Sequence, residues 1–193
     1  MIFELLHVPF PAGYGEAILS LAACKEHLRV DGDDEDDLIG ALRDASVDFV
    51  ERFCEIKLRP TSGLIWRADR FPSRPSAALR LSLAPVSEIL AISWHDTHGS
   101  SVEGDPAGFR LTARGDVLPA IGGAWPSSVG GEIAIEFQAG YADGGVPPSL
   151  ISAIRLFLGH LYKNREAVTD RGAEAEVPFG VRQLCAPFRR VLI

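Results

Sequence analysis

Hydrophobic runs long enough to span a bilayer are missing from these 193 residues. No apolar stretch approaches the ~18 to 20 residues a membrane-spanning helix needs, and residues 1–10 lack the basic start and long apolar centre of a secretory signal. A chain that stays in the cytoplasm of the cell making it, with no membrane partner, is the expectation. Cysteine is scarce. Cys24, Cys54 and Cys185 are odd in number and show no CxxC spacing, so they read as reduced, buried core residues and not as a redox or zinc site. The signatures of several chemistries are also absent: no Gly-x-Ser-x-Gly elbow, no phosphate loop closing on Gly-Lys-Ser/Thr and no His-Glu-x-x-His. Nor is there an excess of positive charge. A net charge of −7 argues against a free-standing binder of duplex DNA, which needs basic phosphate contacts.

What is present is a chain long enough for one domain, or one domain with an inserted subdomain, without metals or disulfides. Its charge is segregated: residues 1–55 carry −9, 56–90 +4, 91–146 −5 and 147–193 +3. Opposed charged regions of this kind allow copies of one chain to stack with complementary faces, and ordinary solvated surface charge is the plain alternative.

Two runs have the helical period. Leu38, Ile39, Leu42, Ala45, Ser46, Phe49, Val50 and Phe53 fall on one stripe of a 3.6-residue helix. The run Asp33-Asp34-Glu35-Asp36-Asp37 precedes it, so Asp33 or Asp34 is expected to cap while the next carboxylates sit in the first turn. Ahead of this, residues 20–28 form a shorter helix with Ser20 as cap and Leu21, Cys24 and Leu28 inward. Near the other end, Pro148 opens a helix whose Leu150, Ile151, Ile154, Phe157, Leu158, Leu161 and Tyr162 make a wide apolar face.

Between the helices the period changes to two. Residues 64–71, 79–83, 86–94 and 132–139 alternate apolar and polar side chains, and 109–112 with 117–118 flank a turn at 113–116 as a hairpin. Gly99 ends a turn at 96–99. Strands so close in sequence should pair antiparallel. The expected fold class is therefore α+β: N- and C-terminal helices in a small bundle, with an inserted antiparallel β meander. The corresponding division is an irregular lead-in at 1–17, a single domain at 18–186 (helices at 20–55 and 147–165, β subdomain at 62–140) and a tail at 187–193. A loop follows Arg165, and 178–185 holds one short helix ended by Pro187.

Clusters that could carry chemistry have plainer readings. His95-Asp96-Thr97-His98 offers three possible ligands but no further one nearby, so a hairpin tip explains it. The 33–37 acidic run lacks the alternating ligands and closing glutamate of a calcium loop. Arg114-Gly115-Asp116 is a turn, and Asp44 and Asp48 are solvated helix residues. His160 is a packed or partly wet helix residue. No catalytic, metal or cofactor residue is expected. The C-terminal segment differs in kind. Phe179, Val181, Leu184, Phe188, Val191, Leu192 and Ile193 are interleaved with Arg182, Arg189 and Arg190, more apolar surface than so short a segment buries alone. It either folds onto its own bundle or packs on a partner.

The order of several strings carries a resemblance: Leu19-Ser20-Leu21-Ala22, Lys25-Glu26-His27-Leu28-Arg29-Val30, Asp34-Glu35-Asp36-Asp37-Leu38-Ile39, Trp66-Arg67-Ala68-Asp69-Arg70-Phe71-Pro72, Pro85-Val86-Ser87-Glu88-Ile89, Trp125-Pro126, Phe137-Gln138-Ala139-Gly140-Tyr141, Val146-Pro147, Gly159-His160-Leu161-Tyr162-Lys163-Asn164-Arg165 and Pro178-Phe179-Gly180-Val181-Arg182-Gln183-Leu184. From residue 19 onward, thinning at 99–108, the chain resembles the tailed-phage head-tail connector proteins, also called adaptor or head-completion proteins, and their relatives in gene transfer agents. The resemblance implies a structural, non-enzymatic protein without cofactors. It implies a ring of 12 copies under the portal, in the neck of a phage or phage-like particle, that extends the DNA channel without binding DNA specifically and docks a stopper or tail-terminator component. It also implies that the C-terminal region reaches the portal, so Phe179, Arg182, Leu184, Phe188, Arg189, Arg190, Leu192 and Ile193 become the expected docking residues. A small cytoplasmic α+β enzyme or ligand-binding protein, with a site between helices and sheet, is the alternative.

Overall fold

The computed structural model describes residues 3–5, 10–112, 115–164 and 178–189. The chain divides into two compact units, Met1–Pro9 with Arg59–Ala142, and Phe10–Leu58 with Asp143–Ile193.

The first unit is built on a five-stranded antiparallel sheet in the order β1-β2-β7-β3-β4. Its strands are β1 (Phe3–Leu5), β2 (Thr61–Ala68), β3 (Val86–His95), β4 (Ser101–Gly104) and β7 (Ile133–Ala139), while β5 (Phe109–Leu111) and β6 (Val117–Pro119) make a separate hairpin. The last strand lies at the centre, with Phe137 opposite Leu64 on one side and Ile89 on the other. Its alternation explains that position: Ile133, Ile135, Phe137 and Ala139 are fully buried, and the residues between them are half-buried. Trp66, Leu64, Ile92, Phe71 and Trp125 complete this core, with Phe71 stacked on Trp125 at 5.3 Å and the Trp125 indole N–H donating to the Ala77 carbonyl at 3.2 Å. Gly140 ends β7 at φ +127°, where a Cβ would stand 2.0 Å from the Arg59 carbonyl oxygen; only glycine permits that approach.

The second unit is helical, with α1 (Tyr14–Ile18), α2 (Leu21–Leu28), α3 (Asp36–Cys54), α4 (Pro148–Lys163) and α5 (Phe179–Cys185). α3, α4 and α5 pack on one another around Ile39, Val47, Val50, Leu150, Ile154 and Leu158. Ser20 caps α2 as the sequence predicts, its hydroxyl accepting the Ala23 N–H at 3.2 Å. Among the described residues no helix is long and apolar enough to cross a membrane.

Helices with an antiparallel sheet are the α+β class that the periodicity predicts, and four local expectations are corrected. The cap of α3 is Glu35, which makes no side-chain cap bond, and the Asp33 backbone carbonyl instead accepts the Asp36 N–H at 3.2 Å. The acidic turn is thus closed by backbone, with carboxylates left at the positive end of the helix dipole. The lead-in is not wholly irregular: it contributes β1, which pairs with β2, and α1. Residues 79–83 form no strand beyond the Leu79–Val117 bridge, although Leu79 and Leu81 are buried as their alternation requires. Ala45 is exposed, and the buried stripe of α3 is Ile39, Arg43, Ser46, Val47, Val50, Glu51 and Cys54. That stripe is turned away from the expected one and admits two charged residues.

Candidate docking surface

α5 is seven residues long and sits on the bundle by one edge. Val181 and Cys185, four apart, are fully buried, while Phe179 is 75% exposed and Arg182 faces solvent. Leu184 and Phe188 are half-buried, and Arg189 follows a 3-10 turn at Ala186–Phe188. Of the expected docking residues, Phe179, Arg182, Leu184, Phe188 and Arg189 therefore gather on or beside one short element. Arg190, Leu192 and Ile193 lie outside the described residues.

Beside α5 runs an aromatic ridge. Phe53 stacks with Phe49 (ring centres 5.5 Å apart), Phe49 meets Phe157 of α4 (4.2 Å), and Phe157 lies against His160 (6.2 Å). These rings are half-buried, so the pattern that assigns Phe49 and Phe53 to the core describes only their inner edges. The Arg189 guanidinium covers the Phe53 ring at 4.6 Å from its centre, a contact worth about 0.5–1 kcal/mol at an exposed position. Leu156, 45% exposed, borders α5: a Cβ at Gly180 would stand 3.5 Å from its Cδ1. Phe179, Leu156 and the aromatic ridge, flanked by Arg182 and Arg189, make a surface in which large apolar groups and arginine alternate. That composition recurs in the energetic centres of protein interfaces.

Beneath this surface two thiols meet. Cys54 donates its S–H to the Cys185 carbonyl at 3.8 Å, and both side chains are fully buried. A hydrogen bond between the two thiols raises the pKa of Cys54, with burial adding to the effect, and lowers that of Cys185.

Sequence patterns missed a buried polar hub that fixes the start of the second unit. The Glu51 carboxylate accepts from the Tyr14 hydroxyl at 2.5 Å, the Lys57 ammonium at 2.7 Å and the Leu58 N–H at 2.7 Å. Phe10 stacks on Tyr14 at 4.8 Å, and Lys57 Nζ lies 4.9 Å from the Phe10 ring centre. Arg43, also buried, pairs with Glu16 and, at 2.9 Å, with Asp44. Burial works against the Arg43 charge, yet the Asp44 hydrogen bond and the Asp44 and Glu16 charges outweigh it and raise its pKa. The available signal was spacing: Arg43, Val47, Val50 and Glu51 are i, i+4, i+7 and i+8 with Ile39 preceding, but a stripe drawn through apolar residues alone steps over charges.

The other clusters take ordinary roles. Asp96 accepts the N–H groups of His98 (2.8 Å) and Ser100 (2.9 Å), closing the β3–β4 turn. Among the described residues no group of three or more His, Cys, Asp or Glu side chains could hold a metal ion.

Residues 18–107 match the family model described as phage gp6-like head-tail connector protein. A chain in the neck of an empty GTA particle computed with C6 symmetry is 25% identical, with a TM-score of 0.69, covering 100% of this chain and 97% of that one. A chain of the virion of the native gene transfer agent (GTA) particle is 26% identical at TM-score 0.69, with 98% and 96% covered. In the neck of the native GTA particle computed with C12 symmetry, a chain with TM-score 0.65 and 24% identity, covering 100% and 97%, has the same fold. No curated protein matches the sequence.

Proposed function

We propose that the chain, whose residues 18–107 match the phage gp6-like head-tail connector model and whose fold is similar to chains of gene transfer agent particles, is the adaptor of a phage-like particle, a structural protein that assembles as a ring of 12 copies beneath the portal, extends the DNA channel and receives a stopper or tail-terminator component. The observation that carries this reading is the fold, similar over 98–100% of the chain to chains from the neck of an empty GTA particle at 25% identity and from the virion of the native GTA particle at 26%. Twelve copies satisfy both the C6 and the C12 symmetry named for the similar neck structures. The comparisons give no support to an enzyme or ligand-binding protein. Assembly takes place in the cytoplasm of the producing cell, and the finished ring lies in the neck.

Within that reading the surface around α5 docks onto the portal, through Phe179, Arg182, Leu184, Phe188 and Arg189, with Arg190, Leu192 and Ile193 continuing the segment. Its exposed aromatic and guanidinium groups support the assignment. The test is to add purified protein to portal-bearing heads that lack it and to image the necks. Wild type should add a ring; Phe179→Asp, at a site already in water, should keep its melting point and lose ring addition. Normal ring addition by Phe179→Asp together with Arg182→Glu would move docking to another surface, the basic stretch 57–80 first. Failure of wild type to add to any portal-bearing head would remove the adaptor reading itself.

A further inference from the structure

We propose that Cys54 and Cys185 are a redox-responsive pair that closes into a disulfide and pins α5 to the end of α3. Three observations carry the inference. The two residues sit at the last positions of α3 and α5, on elements in direct contact. The Cys54 S–H points at the Cys185 backbone, 3.8 Å from its carbonyl oxygen, and both cysteine side chains are fully buried there. The third cysteine, Cys24, is held elsewhere, its S–H directed to the Leu19 carbonyl, so only one pairing is prepared.

The chemistry follows from the surroundings. Cys185 is the easier thiol to ionise, because its thiolate would accept a hydrogen bond from the Cys54 side chain and the Arg189 charge lies nearby, which together outweigh burial. Its thiolate attacks one sulfur of a small-molecule disulfide, forming a mixed disulfide and releasing one thiolate. Cys54 then loses its proton, and its thiolate attacks the Cys185 sulfur, closing the protein disulfide and releasing the second thiolate. Two protein thiols and one small disulfide become one protein disulfide and two small thiols, so atoms and electrons balance. Both sulfurs are buried, and the reaction therefore waits on local opening of α5, a seven-residue helix seated through Val181 and Cys185. A reducing interior keeps the pair open, and an oxidising exterior closes it. The pin spans 131 residues of chain, and a loop of that length strongly restricts the unfolded state.

The test uses the full-length protein and oxidised glutathione as the probe. After incubation the protein is denatured, alkylated and digested, and its peptides are mapped by mass. The expected result is loss of two free thiols, a Cys54–Cys185 cross-linked peptide, Cys24 alkylated in full, and a melting point raised by about 10 °C, reversed by dithiothreitol. In Cys54→Ala the same treatment should stop at a glutathione adduct on Cys185. Wild type that carries only glutathione adducts, cross-links through Cys24, or keeps three free thiols while Cys185 of Cys54→Ala is modified, overturns the proposal. The map reads the bond directly, so the result does not depend on whether α5 docks a portal.

Discussion

Replacing Glu51 with glutamine tests whether the buried hub holds the second unit together. Glu51 is 3% exposed and Lys57 8%, so water cannot take over either charge. The glutamine side chain has nearly the same volume, and its carbonyl can still accept from the Tyr14 hydroxyl and the Leu58 N–H, which both address one oxygen of Glu51. What the substitution loses is the counter-charge 2.7 Å from Lys57 Nζ. Breaking a buried pair from one side costs about 3–5 kcal/mol, because the remaining charge is left uncompensated. The Phe10 and Tyr14 rings, 4.9 and 6.0 Å from that ammonium, stay in contact with the stranded charge, so a loss at the lower end of that range, roughly 3 kcal/mol, is expected. In a chain of this size that lowers the melting point by about 6–12 °C. Urea unfolding followed by far-ultraviolet circular dichroism measures it. Glu51→Gln combined with Lys57→Met removes the stranded charge and should recover at least half of the loss, since apolar replacement of a buried pair is often tolerated. A single mutant that loses less than about 1 kcal/mol, or a double mutant worse than the single, would refute the reasoning, because Lys57 would then be neutralised or hydrated in the fold.

Four further outcomes follow. Val47→Asp, fully buried on α3, should cost several kcal/mol and abolish soluble expression, whereas Phe49→Asp, half-buried on the aromatic ridge, should cost only about 1–2 kcal/mol and remain folded, as soluble yield and urea midpoints would show. Burial pushes the Cys24 thiol up to about 11; the fold therefore favours the protonated thiol, and this contribution is complete below the unfolded value of about 8.5 and is lost as pH rises toward 11. Urea midpoints should fall across that window, less steeply in Cys24→Ala. The isolated protein, at net charge −7, should show no tight, salt-dependent duplex binding in a mobility-shift titration. Deleting residues 187–193 removes the Arg189 contact with Phe53 but neither Val181 nor Cys185, so circular dichroism and melting should change little while head-tail joining fails; an unfolded product would return the segment to the bundle core.

The fold was legible wherever a local period decides burial. The alternation of residues 132–139 marks a half-buried strand, and the structure realises it as β7, buried at every second side chain. The Ser20 cap was legible for a similar reason, because the hydroxyl and the N–H it accepts are three residues apart. Strand order was not legible: β7 lies between β2 and β3, and no local pattern states which strand a sheet places at its centre. The orientation of α3 is subject to the same limit. Apolar residues alone define one stripe, but the helix is seated by what surrounds it, including Tyr14, Lys57 and the Leu58 N–H around Glu51 and Glu16 beside Arg43.

The docking surface shows where composition stops and geometry begins. A segment rich in Phe and Arg leaves open whether it serves its own core or a partner, and the answer differs residue by residue. Val181 and Cys185 go inward because they are four apart on one face of α5, and Phe179 and Arg182 go outward because they are not on that face. Arg189 closes over Phe53, and that contact joins α5 to an aromatic ridge contributed by α3 and α4, elements distant from it in sequence. Patterns read along the chain cannot assemble such a surface. The ridge and the exposed face of α5 should therefore act together: Phe157→Ala, which leaves the whole C-terminal segment intact, should weaken ring addition to portal-bearing heads as Phe179→Asp does, though less. Unchanged addition by Phe157→Ala would confine docking to residues of the segment itself.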